Sequence, residues 1–188
     1  MLRNPYKDDY DHRPEVNKRG RFVDRFYYKG DLYKLPFDQK KKRQTVVLSF
    51  LFFLGMTGIW VLQGLVNQAS SRVLWVLGPY LFVLLPTLFM GLGTVEYAFS
   101  HDPMRRDEYE RGLERMKHSA IGAMALSVIA FVCEIVFLIL RRGTYNLQKE
   151  LFFALFYPIF LAAGFLFGKF YDRSFSGITI EKVELEHE

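Results

Sequence analysis

The chain has 188 residues, 51% hydrophobic and 24% charged, with a formal net charge of +5. Its mean hydropathy of +0.05 averages long apolar runs with strongly charged flanks, and that division excludes an ordinary soluble globule. The single cysteine, Cys133, excludes an intrachain disulfide.

Residues 1–20 are polar, with the acidic stretch Asp8-Asp9-Tyr10-Asp11-His12 and Pro14. They read as disordered or loosely docked. The first 44 residues hold no short apolar core followed by small residues, so no cleaved signal peptide is expected. Residues 21–35, RFVDRFYYKGDLYKL, are rich in aromatics. Residues 22–28 and 32–35 can form a short hairpin about Lys29-Gly30-Asp31. The basic run Lys40, Lys41, Lys42 and Arg43 follows. Set beside a span, it fits anionic lipid headgroups far better than nucleic acid.

Four apolar runs then dominate, at 45–66, 73–95, 119–140 and 151–168. A helix needs about 20 apolar residues to cross a hydrocarbon core. The expected fold is therefore an all-α membrane protein of four helices, 45–66, 73–97, 119–140 and 151–170. Its domains are an N-terminal segment 1–43, a transmembrane domain 44–171 and a tail 172–188. Of the 25 Lys and Arg residues, 21 fall on the side of the N-terminus and 4 on the other. The positive-inside rule then places both termini in the cytoplasm of a multi-pass membrane protein.

The six-residue link 67–72 makes the first two spans antiparallel neighbours. Pro79 and Pro86 predict a kinked second span. Residues 103–118 read as a helix running straight into the third span. Asp102 would cap it, Pro103 would fill its first position, and Asp107 would pair with Arg111. Residues 141–150 read as a short polar link. Trp75 and Tyr145 mark one membrane boundary and Tyr97 and Tyr171 the other. In the tail, residues 178–185 have strand character, and their pairing with 21–35 would give a small β element beside the helices.

Glu134 is the one charged residue inside the four runs. At 1.5 Å per residue it lies about 22 Å from the inner end of its helix and about 9 Å from the outer end. Gln63, Tyr80 and Tyr157 fall at similar depth on the other three spans. The four side chains form a candidate intramembrane polar cluster: interhelical glue by the favoured reading, a small site or proton path by the sharper one. Glu96 and Lys169 are a candidate pair at the inner boundary, although both can instead reach headgroups. Small residues at Gly164 and Gly168, and at Ser119, Ala123 and Ser127, point to close helix packing.

No phosphate-binding loop, zinc motif or nucleophile elbow appears, and His12, His101, His118 and His187 are scattered. No catalysis, cofactor or resident metal is expected. The partners expected are the bilayer and either other membrane subunits or further copies of this chain. Two roles follow: a non-catalytic accessory or scaffold subunit, or a small oligomeric transporter or channel using the layer around Glu134.

Overall fold

In the computed structural model, residues 6–16, 21–141, 143 and 145–182 are described. Four helical rods run up, down, up and down. They are α1 (Gln39–Gly64), the pair α2 (Leu74–Phe82) and α3 (Leu84–Phe99), α5 (Arg115–Leu140) and α6 (Leu147–Phe175). α1 packs on α3 and α6, and α5 packs on α2, α3 and α6, so the rods form a four-sided bundle. All four are long and apolar enough to cross a membrane.

The burial pattern is the one expected of a helix bundle in lipid. Large aliphatic side chains such as Val47, Leu51, Leu88, Val132 and Leu155 face outward. Thr45, Ser49, Thr87, Thr94 and Ser127 are buried. Lipid offers aliphatic side chains a home as good as the core, so small and hydroxylated residues take the interior. Thr87 and Thr94 satisfy their hydroxyls on the carbonyls of Val83 and Met90.

The second rod breaks at Val83, as the prolines predict. Pro86 has no N–H to offer Phe82, and α2 ends there. Reciprocal bonds lock α2 to α1. The Trp60 indole N–H donates to the Tyr80 carbonyl at 3.0 Å, the Tyr80 hydroxyl donates to the Trp60 carbonyl at 2.7 Å, and the rings stack.

Two small sheets cap the end where α1 begins, called here the sheet end. Strands β1 (Tyr10–Val16) and β2 (Phe22–Tyr28) form an antiparallel ribbon. β3 (Asp31–Lys34) is the centre of a second sheet, between β4 (Met104–Arg105) and β5 (Thr179–Lys182). The expected pairing of 21–35 with the tail is therefore present, as β3 with β5. Two expectations need correction. Residues 22–28 pair with 10–16 and not with 32–35, so the described part of 1–20 is a docked strand. Residues 183–185 of the expected tail strand lie outside the described residues. The helix leading into the third span starts at Arg106, as α4 (Arg106–Tyr109), and not at Pro103. Residues 104–105 are taken by β3, and the Glu108 carboxylate accepts the backbone N–H groups of His101 and Arg105 at 3.2 Å each.

The expected Asp107–Arg111 pair is also replaced. Arg106 bonds Glu110 at 2.9 Å, while the Arg111 guanidinium lies over the Tyr6 ring. Tyr28 joins ribbon, sheet and helix: its hydroxyl donates to the Asp31 carbonyl at 2.7 Å and accepts from the Arg106 N–H at 2.9 Å. Burial pushes the Tyr28 phenol above its ordinary range, so the bridge stays neutral.

Between α4 and α5 the chain makes a π turn, Glu110–Glu114. A methyl group added at Gly93 would stand 2.8 Å from the Gly112 carbonyl and 2.9 Å from the Met116 nitrogen. The two glycines let α3 and this turn touch backbone to backbone.

Candidate functional site

At the far end of the bundle, opposite the sheets, each rod brings polar groups inward. α5 supplies Glu134, and α6 supplies Tyr157 and, two turns earlier, Glu150. The link between α1 and α2 folds into one turn of 3-10 helix, Ser70–Arg72, which supplies Ser70. Glu134 and Ser70 are 0% exposed, and Glu150 and Tyr157 are 1% exposed.

Glu150 sits on α6 because Asn146 caps that helix, its side chain accepting the Lys149 N–H at 3.3 Å. The helix thus begins four residues before the expected boundary at 151, and Glu150 lies in its first turn, not in a polar link. A first-turn Glu ordinarily faces water beside the helix dipole. Here the 67–72 link closes over it. Glu150 Oε1 accepts the N–H groups of Ala69 at 2.7 Å and Ser70 at 3.2 Å.

The other atoms make no well-formed hydrogen bond. Glu134 Oε1 and Oε2, Glu150 Oε2, the Ser70 hydroxyl and the Tyr157 hydroxyl are buried and lack a partner in good geometry, although Ser70 and Glu150 face Glu134 and Gln63 faces Tyr157. The groups acting electrostatically on Glu134 are Ser70 and Glu150, and Glu134 in turn acts on Tyr157. Among the described residues neither carboxyl has an ion-pair partner. Two adjacent carboxyls out of water cannot both hold a charge unless a proton or a cation joins them.

The structure brings together part of the sequence-derived cluster. Glu134 faces the bundle interior with Tyr157 beside it. Gln63 is buried, but its side chain donates to the Phe153 carbonyl at 3.3 Å. Tyr80 packs against Phe153 and is spent on the Trp60 carbonyl. Neither Gln63 nor Tyr80 bonds Glu134. Glu150 and Ser70 were missed because both lie outside the apolar runs. Two signals pointed to Glu150: the helix-starting Asn146, and a seven-residue spacing that sets it on the face of Tyr157.

Glu96 and Lys169 do not meet. α3 and α6 are diagonal in the bundle, both side chains are exposed, and the Lys169 ammonium lies 4.7 Å from the Phe165 ring centre. Nor do Tyr97 and Tyr171 face a headgroup zone. Tyr97 is 0% exposed and its hydroxyl meets that of Thr45 at 2.7 Å. Tyr171 is buried against Phe175. In the basic run, Lys40, Lys41 and Arg43 are exposed, but Lys42 is buried. Its ammonium donates to the carbonyl of Ser100 at 2.5 Å and to that residue's hydroxyl at 3.1 Å. That cation sits at the negative end of α3.

An open cleft of about 460 Å³ at the sheet end is lined by Lys117, His118, Glu114, Tyr171 and Asp172 among others. Its charges offset one another, with Lys117 3.9 Å from Asp172.

Compared with known protein families, with curated proteins and with solved structures, the chain matches none.

Proposed function

We propose that this chain is a non-catalytic accessory subunit of a larger membrane complex, with both termini in the cytoplasm. One observation carries the reading. The β1–β2 ribbon presents Val16, Phe22 and Phe26 together on one face, at 60%, 80% and 64% exposure. A two-stranded ribbon is marginal in water by itself, and clustered exposed aromatics mark a surface that another protein covers. The ribbon is held out from the bundle on a prepared base. Tyr6 bonds Glu110 at 3.0 Å, the Lys29 N–H bonds the Asp9 carbonyl at 2.9 Å, and Arg106 lies 3.8 Å from Asp9.

A small oligomeric transporter or channel is the second reading, favoured by the helix break at Val83 and the buried carboxyls at the far end. Against it, the bundle between those carboxyls and the sheet end is filled by Met56, Met90, Phe160 and Phe167, all at most 2% exposed. Conduction would then need a path between copies.

Native mass analysis of the detergent-extracted protein separates the two. Subunits of another sequence, released by a Phe22→Asp/Phe26→Asp double variant, support the accessory role. A homo-oligomer indifferent to that variant supports transport.

A further inference from the structure

We propose that Glu134, Glu150, Ser70 and Tyr157 form a site for one divalent hard cation of the Ca²⁺ type at the far end of the bundle. This goes beyond the accessory role and does not depend on it. Buried polar atoms are normally satisfied, and a concentration of exceptions needs an explanation. Among the described residues, ten buried side-chain oxygens lack a partner in good geometry, and six of them belong to this end. Five come from the four named residues. The sixth, Gln68 Oε1, lies two positions ahead of Ser70 on the same link.

Charge decides between the two ways of completing the cluster. A proton shared by the carboxyls cancels one negative charge and satisfies two oxygens. The Ser70 hydroxyl can turn to the second Glu134 oxygen and the Tyr157 hydroxyl to Gln63, but one negative charge would stay buried without a counter-charge. A divalent cation cancels both charges and takes up to eight oxygens at about 2.3–2.6 Å, with water filling what the protein leaves vacant. The donor set is oxygen throughout, with no thiolate or imidazole, which selects a hard ion. The Ala69 and Ser70 N–H groups fix one oxygen of Glu150 and leave the other for the ion. Tolerance for a loose, high-coordination shell favours Ca²⁺ over Mg²⁺. Entry requires the 67–72 link to lift, since neither carboxyl is exposed.

The test uses the full chain in detergent, stripped with a chelator. Tb³⁺ should bind saturably, with luminescence sensitised through Tyr157 and Trp60, and Ca²⁺ should displace it. Saturating Ca²⁺ should raise the melting temperature by about 5 °C or more over choline chloride of equal ionic strength. Glu134→Gln and Glu150→Gln should each weaken Ca²⁺ at least about tenfold, because each removes a charged ligand. If those variants do not fold, Tyr157→Phe, which loses only a hydroxyl, should still weaken Ca²⁺ binding by calorimetry. Absence of displacement and of a thermal shift overturns the proposal. So does unchanged affinity in the variants that fold. Stabilisation by mild acid alone, with no cation response, overturns it in favour of a shared proton.

Discussion

Lys42 belongs by sequence to a run of four basic residues, yet its environment is unlike theirs. Its stem is buried beside Tyr97, and its ammonium closes the end of α3 on Ser100. Lys42→Met keeps the stem and removes the charge and both hydrogen bonds. We expect a loss of about 1–2 kcal/mol of stability, whereas Lys40→Met should change it by less than about 0.5 kcal/mol. Thermal melts of the two variants in one detergent make the comparison, and equal melting temperatures would refute it. Tyr80 gives a second case. Tyr80→Phe retains the stack on Trp60 and deletes one bond, leaving the Trp60 carbonyl without that donor. The expected cost is about 1 kcal/mol, read in the same melts. These two roles were not legible, because a side chain's partner lies on a different rod and the registry of the rods is not written in either segment.

Among the elements, the meeting of α3 with the π turn is the tightest. Gly93→Ala would drive a methyl group into backbone atoms of Gly112 and Met116, which cannot rotate away as a side chain can. We expect a loss of about 1–3 kcal/mol, whereas Gly55→Ala, which meets nothing within 4 Å, should be neutral or stabilising. The sequence shows glycines at 93 and 112, but each alone reads as a weak helix position. Only the crossing explains them. The three-stranded sheet is likewise an assembly of distant pieces. Truncation after Gly177 removes β5 and should abolish hydrogen-exchange protection at those β3 amides that point to β5, which alternate along the strand with the ones that point to β4, while leaving the bundle helices protected. Unchanged protection throughout Asp31–Lys34 would mean that β5 does not hold β3.

For the whole molecule, the antiparallel bundle and the shared sheet put residues 31–34, 104–105 and 179–182 at one end. The asymmetry of Lys and Arg is the ground for proposing that this end is cytoplasmic. In a Cys133→Ser background, cysteine at Ser176 should label only from the cytoplasmic side and cysteine at Asn146 only from outside. The reverse pattern would invert the topology.

The chain by itself determined four rods long and apolar enough to cross a membrane, the break in the second, the strand character of its polar ends and the inward carboxyl at 134. These follow from local quantities: an apolar length matched to hydrocarbon, a proline without an N–H, a charge with no partner in lipid. Tertiary structure decided the rest. It chose β1 and not β3 as the partner of β2, because backbone hydrogen bonds take whichever strand the fold brings alongside. It sent Tyr80 to Trp60 and Lys42 to Ser100. It folded a six-residue link over Glu150, so that a residue with the sequence signature of an exposed helix start became the second carboxyl of a buried pair. Depth in a membrane can be counted along a chain, but the neighbour at that depth is set by the rotation of each helix about its axis, and packing fixes that only when all four rods are assembled.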